Sequence, residues 1–149
     1  MKEKSIGSRL LTAAGLVCNG KTVCDVGCDH GYLGIYLLTQ GIATSVIESD
    51  VAEGPLQSAM RNAVKFGTKN KMSFHLSDGV KNIPRDFDTL VCAGMGADTI
   101  ISILEAAPWT AKGAHKLVLQ PMTAGSKLRR WLADNGYGIE KWRVRRHYG

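Results

Sequence analysis

The segment TVCDVGCDHGYL, residues 22–33, decides the fold class of this chain. Residues 22–26 are mostly apolar or β-branched, which predicts a buried strand, and Gly27 begins a turn into a helix that contains Tyr32 and Leu33. A glycine directly after a strand lets a ligand approach the backbone, and the next helix offers free N–H groups. An ordinary strand-to-helix turn uses the same residues, so the glycine alone leaves both interpretations open.

Asp29 separates this turn from the glycine-rich turn of dinucleotide-binding proteins, GxGxxG. It stands where a second glycine would be. A carboxylate at that position would repel a pyrophosphate and attract a cationic group. The turn therefore argues against a NAD-dependent dehydrogenase.

The rest of the chain alternates helices and strands, and no repeat or low-complexity segment interrupts it. Periodicity and turn residues predict helices over residues 5–17, 54–67, 99–106 and 126–136, the last capped by Ser126. The turn at Gly27 leads into a further helix through Tyr32, Leu33, Tyr36 and Leu37, which Gly41 closes. Strands are predicted over 22–26, 43–47, 71–76, 89–93, 116–119 and 137–144. This order predicts one α/β domain over residues 1–149, a Rossmann-like, mostly parallel sheet with helices on both faces. Whether the last edge strand is present stays open.

Acidic or glycine-bearing turns follow four successive predicted strands, at the edge where parallel sheets bind ligands. Glu48-Ser49-Asp50 lies where nucleotide-binding sheets place a carboxylate for the ribose hydroxyls; Asp50 is preferred and Glu48 is the alternative. In Ser77-Asp78-Gly79, the Asp78 carboxylate can accept a hydrogen bond from an adenine amino group. Cys92-Ala93-Gly94-Met95 offers small residues against which a planar group can lie.

The formal charge of +6 and the pI of about 9.3 favour an anionic partner such as nucleic acid, although many basic proteins bind none. The positive charge is concentrated in the last 23 residues, at Lys127, Arg129, Arg130, Lys141, Arg143, Arg145 and Arg146. That end is a candidate phosphate-binding surface.

Two classes are disfavoured by what the sequence lacks. It has neither an apolar signal segment nor a run long enough for a membrane span, so we expect a cytoplasmic protein. Its four cysteines form no CxxC pair and lie among apolar residues, so we expect core side chains and no metal site.

Five segments in order closely resemble the bacterial tRNA (adenine-22-N1) methyltransferase family. They are DVGCDHGYL from Asp25, DVAEGPLQSA from Asp50, SDGV from Ser77, CAGMGADTI from Cys92, and LVLQP with LRRWL from Leu117. The opening SRLLTAAGLV from Ser8 resembles the first helix of that family. The likeness spans about residues 8 to 140 and implies transfer of a methyl group from S-adenosyl-L-methionine to N1 of a tRNA adenine.

The resemblance also implies site residues. Together with the turn analysis it gives a cofactor site of Asp25, Gly27, Asp29, Glu48, Asp50, Asp78, Gly79, Ala93 and Gly94. Substrate binding is expected at Arg9, Met95, Gly96, Gln120, Pro121, Arg129 and Arg130, and catalytic roles at Asp29 and His30. His30 would orient groups or shuttle a proton, or it is simply a histidine at a helix start that bonds to backbone.

Two departures from the family qualify this assignment. The family usually has a second glycine where Ala97 stands, and its members continue into a helical C-terminal domain that this sequence lacks. We therefore expect weak tRNA binding with retained cofactor binding. A methyltransferase acting on a small molecule or a protein, and a non-catalytic cofactor- or RNA-binding module, remain the alternatives.

Overall fold

The computed structural model of the chain describes residues 1–2 and 6–140. These residues form five strands and five α-helices. In chain order the elements are α1 (Gly7–Ala14), β1 (Lys21–Val26), α2 (Tyr32–Thr39), β2 (Ala43–Asp50), α3 (Glu53–Lys65), β3 (Met72–Leu76), β4 (Thr89–Met95), α4 (Ala97–Glu105), β5 (Lys116–Pro121) and α5 (Gly125–Asp134), with short 3₁₀ turns at Lys69–Lys71 and Pro108–Ala111.

The strands form one sheet in the order β3-β2-β1-β4-β5, and every neighbouring pair is parallel. Successive strands run outward from β1 on one side and then outward from β4 on the other. The order therefore reverses between β1 and β4, and such a reversal opens a crevice at the carboxyl ends of the strands. The predicted fold class is confirmed.

The three central strands β1, β2 and β4 bury both of their faces, because helices cover both sides of the sheet. Val23, Val46 and Val91 point toward α1 and α2. Cys24 and Leu90 point the other way, toward α4 and α5. The apolar strand sequences, with little polar alternation, are what a sheet covered on two sides requires.

Several sequence predictions need correction. Strands β2, β4 and β5 run on to Asp50, Met95 and Pro121, which are three, two and two residues beyond their predicted ends. Ser126 does not cap α5, since that helix begins at Gly125 after Ala124, and the Ser126 hydroxyl accepts a hydrogen bond from Arg129.

The end of the predicted sheet differs as well. Residues 137–140 are irregular, and the rest of the strand predicted over 137–144 lies outside the described residues. Three of the four cysteines are buried as predicted, but Cys18 is exposed. Across residues 1–2 and 6–140, no helix is long and apolar enough to cross a membrane, and His, Cys, Asp and Glu form no metal-binding group.

Candidate cofactor and substrate site

A cavity of about 200 Å³ opens where β1 and β4 end. Helix α1 forms one wall, the turn after β1 and the start of α2 form another, and β4 closes the third side. It is lined by Arg9, Leu10, Asp25, Gly27, Cys28, Asp29, His30, Tyr32, Leu33, Ala93 and Gly94. We call this the first cavity; it contains two predicted acids and both predicted catalytic residues.

A second cavity, of about 150 Å³, lies on the other side of the β1 turn. It is lined by Val26, Gly27, Asp50, Val51, Ser77, Asp78, Gly79, Met95, Thr99, Ser102 and Ile103. Gly27 belongs to both linings. Each cavity is smaller than the roughly 300 Å³ of an ordinary ligand pocket, so an elongated ligand that crosses over Gly27 would use both.

Gly27 has a backbone conformation that only glycine adopts easily, with φ of 72°. Its amide donates to the carbonyl of Ser49, 2.8 Å away, which ties the turn to β2. A Cβ at this position would lie 3.1 Å from Cε of Met95. The glycine thus keeps open the passage between the cavities.

The Asp29-His30 turn sits at the mouth of the first cavity, where 77% of the Asp29 side chain and 52% of the His30 side chain are exposed. Asp29 is one of two non-glycine residues with positive φ in the described chain. Nδ1 of His30 lies 2.9 Å from Oγ of Ser58, and Nε2 lies 3.6 Å from Oδ1 of Asp29. Asn62 donates to the His30 carbonyl, so α3 holds this turn in place.

Asp25 and Glu48 form a buried acid pair, side by side in the register of β1 and β2. Asp25 is 5% exposed and lines the first cavity, while Glu48 is fully buried and lines neither cavity. Burial raises the pKa of Asp25 to about 6 and, together with the charge of Asp25, raises the pKa of Glu48 well above its usual range. Protonation of these acids therefore stabilises the fold at low pH, and for Asp25 this contribution is lost as the pH rises through about 6.

The two predicted nucleoside-binding acids line the second cavity. Asp50 ends β2, where its Oδ1 accepts a hydrogen bond of 2.9 Å from the amide of Ala52 and its Oδ2 lies 4.0 Å from Sγ of Cys28. Asp78 is exposed and pairs with Lys81 at 3.0 Å. Burial and the three nearby acids raise the pKa of the Cys28 thiol, so it is an unreactive lining group.

Arg9 and Gln120 hold one another beside Gly94. The Gln120 amide donates to the Arg9 carbonyl at 3.0 Å, and the Arg9 guanidinium donates to Oε1 of Gln120 at 3.5 Å. A Cβ on Gly94 would lie 2.6 Å from Nη1 of Arg9, so the guanidinium covers that glycine. Gln120 contacts the site through Arg9 and does not line either cavity.

The remaining predicted substrate residues are spread more widely. Met95 lines the second cavity, whereas Gly96 and Pro121 lie beside the cavities and line neither. Arg129 and Arg130 are on α5, also away from both cavities. Lys141, Arg143, Arg145 and Arg146 lie outside the described residues.

A family described as "Methyltransferase domain" matches residues 6–146, nearly the whole chain. The chain belongs to this family. Its two cavities at the strand ends are accordingly those of a methyltransferase domain.

Relatives of this methyltransferase domain confirm the narrower resemblance. The tRNA (adenine(22)-N(1))-methyltransferase of Bacillus subtilis is 34% identical over 140 residues, which are 93% of this chain and 59% of that protein. The structure of the Bacillus subtilis M1A22 tRNA methyltransferase TrmK superposes with a TM-score of 0.85 at 33% identity, covering 91% of this chain and 58% of the other.

A third relative was solved with a ligand. The Streptococcus pneumoniae protein Sp1610, in complex with S-adenosyl-L-methionine, is 37% identical with a TM-score of 0.85, over 91% of this chain and 64% of its own. The methyltransferase domain described here spans about 60% of the length of the curated relatives that it matches.

Sequence reasoning missed several residues of this methyltransferase domain. Thr99, Ser102 and Ile103 line the second cavity, and their spacing of three and four residues places them on one face of α4. Ser58 and Asn62, which hold His30, are four residues apart on α3. Helical spacing after a ligand-binding strand end was the signal available for both sets.

Proposed function

We propose that this chain is the catalytic domain of an S-adenosyl-L-methionine-dependent methyltransferase that modifies N1 of an adenine in tRNA, at position 22 by resemblance. The observation that carries the proposal is the pair of cavities that share Gly27 at the carboxyl edge of the sheet, with acids in both. Their arrangement suits a ligand that has a nucleoside at one end and an amino acid at the other.

The residues present fit this cofactor. In the second cavity the Asp50 carboxylate, which already accepts a hydrogen bond from the Ala52 amide, can accept further hydrogen bonds from ribose hydroxyls. The Asp78 carboxylate accepts a hydrogen bond from the adenine amino group. The apolar side chains of Val51 and Ile103 line the same cavity and suit a flat base. In the first cavity Asp25 and Asp29 face the cationic end.

When bound, the cofactor would supply a methyl group on a positively charged sulfur for transfer to a lone pair, and the neutral thioether would be the leaving group. The domain contributes the alignment of adenine N1 with the methyl group, since well-oriented reactants reach effective molarities of about 10⁵ M or more. Adenine N1 carries its own lone pair, so no strong general base is required. Asp29 steadies the positive charge on the reacting groups, and His30, oriented by Ser58, adjusts the hydrogen bonding at the mouth.

The target adenine is received against Arg9, whose guanidinium covers Gly94 at the end of β4. Gln120 fixes Arg9 above Gly94, and Met95 with Gly96 continues that floor. A base within a stacked or paired region must be turned out of the helix before N1 can reach the methyl group. Tyr32, which lines the first cavity, is the aromatic side chain placed to stack on it.

The tRNA backbone is held by basic residues outside the cavities, of which Arg129 and Arg130 on α5 are described. A tRNA substrate would place the protein in the cytoplasm. The sequence has further basic residues after Glu140, which lie outside the described residues.

The experiment that tests this function is mass spectrometry of nucleosides from tRNA incubated with the chain and methyl-labelled cofactor. We expect label in 1-methyladenosine, at a low level because this chain spans only part of its relatives, and no label with the Asp50→Ala variant. Label that appears instead in a protein or a small molecule, with unmodified tRNA, would contradict the proposed substrate.

A further inference from the structure

Glu48 takes no part in the site as proposed, although it is the one charged-type side chain that is fully buried among the described residues. We propose that Glu48 is a positioning residue that stays protonated and donates its proton to Asp25, holding Asp25 as the carboxylate that receives the cationic amino group of the cofactor. This inference rests on the proposed function, because it takes that amino group as the partner of Asp25.

The surroundings of Glu48 favour the protonated acid. Neither of its carboxyl oxygens receives a hydrogen bond from an N–H or hydroxyl group of the described residues. A buried carboxylate without such donors is very costly, whereas a carboxylic acid needs only one acceptor. Asp25 is the register partner of Glu48 on the neighbouring strand β1, and its carboxyl group is the adjacent buried acceptor.

The fold makes a specific place for this side chain. Glu48 projects from β2 toward α2, and a Cβ on Gly34 would collide with its Oε1 and would lie 2.8 Å from Val46. The glycine thus leaves room for a carboxyl group in an otherwise apolar helix, YLGIYLLT. The position is shaped to hold Glu48 against Asp25.

Asp25 lines a cavity and Glu48 does not, so we place the shared proton on Glu48. Asp25 lines the first cavity together with the cationic Arg9, so a negative charge on Asp25 meets cations from the protein and from the ligand. Glu48 lines no cavity, and a charge there would meet none. The bond from Glu48 lowers the pKa of Asp25, partly offsetting the effect of burial.

Other titratable groups lie on the elements around the pair. Asp50 at the end of β2 opposes ionisation of both acids. The titratable and charged groups of the elements packed around the pair are Arg9 from α1, Tyr32 and Tyr36 from α2, Glu53, Arg61 and Lys65 from α3, Lys21, Cys24, Cys92, His75 and Asp50 from the strands, and Cys28, Asp29 and His30 from the turn.

The test is the pH dependence of S-adenosylhomocysteine binding by the full chain, measured by calorimetry between about pH 5 and pH 8. Wild type is expected to lose affinity as the pH falls through about 6, because Asp25 becomes neutral. Glu48→Met removes the donor at similar volume and should move this midpoint up by about one unit, which weakens binding roughly fivefold at about pH 6 and less than twofold at about pH 8.

Glu48→Gln keeps an N–H donor without a titrating proton and should reproduce the wild-type profile. Glu105→Met, on the exposed end of α4, is the matched surface control and should also leave it unchanged. A Glu48→Met profile equal to wild type overturns the inference, as does a Glu48→Gln midpoint shifted to lower pH, which would reveal an ionised Glu48. Wild type that binds no S-adenosylhomocysteine at any pH would instead refute the proposed function.

Discussion

Replacing Gly31 by alanine is expected to lower the free energy of unfolding by about 2–5 kcal/mol. Gly31 precedes α2 with φ of 75°, a conformation that costs a residue with a Cβ roughly 1–2 kcal/mol. The added Cβ would also lie 2.8 Å from Cβ and 3.1 Å from Cα of Ala59 on α3. Relieving that contact moves two helices apart beneath the Asp29-His30 turn. Urea unfolding followed by circular dichroism measures the loss.

Gly41 provides the matched control for this substitution. It has φ of 70°, and no described atom outside its immediate neighbours lies within 4 Å of the Cβ that alanine would add. Gly41→Ala should therefore show only the conformational cost of about 1–2 kcal/mol. Equal losses for the two variants would show that α2 and α3 are not in close contact at Gly31.

Replacing Asp50 by alanine is expected to weaken S-adenosylhomocysteine binding by about 1–3 kcal/mol, because the ribose hydroxyls lose their acceptor in a partly closed site. Asp50 is half-buried at the end of β2 and lines the second cavity. Calorimetric titration at about pH 8 gives the change in dissociation constant directly. The effect should fall on ligand affinity, with S-adenosylhomocysteine and adenosine weakened alike.

The Asp50→Asn variant distinguishes an effect on ligand affinity from an effect on the stability of the fold. Its side-chain oxygen can still accept the hydrogen bond that Oδ1 receives from Ala52, but its NH₂ group accepts nothing. This variant should keep the stability of wild type and lose part of the affinity. Unchanged binding by Asp50→Ala, with reduced binding by Glu48→Gln at about pH 8, would mean that the ribose carboxylate is Glu48.

The order and type of the main elements followed from the sequence because each strand is a short apolar run and each helix has a clear apolar period. The apolar pattern predicts an end of β2 at residue 47, because Glu48, Ser49 and Asp50 are polar. The structure continues the strand because these residues pair with β1 and β3 in the sheet, and the Ser49 hydroxyl donates to the Gly79 carbonyl.

The acids at the strand ends were predictable because parallel strands bring their carboxyl ends to one edge. Contacts between distant segments were not. Nothing in the local sequence shows that Gln120 holds Arg9, 111 positions away, or that Ser58 holds His30. The depth of Glu48 relative to Asp50 likewise depends on Gly34 in another element, so sequence alone left both acids as ribose candidates.

The most direct test of the central claim, that the two cavities form one site for S-adenosyl-L-methionine, is calorimetric titration of the chain with S-adenosylhomocysteine and, in parallel, with NAD. We expect S-adenosylhomocysteine to bind with one-to-one stoichiometry and NAD to give no binding heat, since the Asp29 carboxylate favours a cationic amino group and repels a pyrophosphate. Binding of NAD with no response to S-adenosylhomocysteine would contradict the claim.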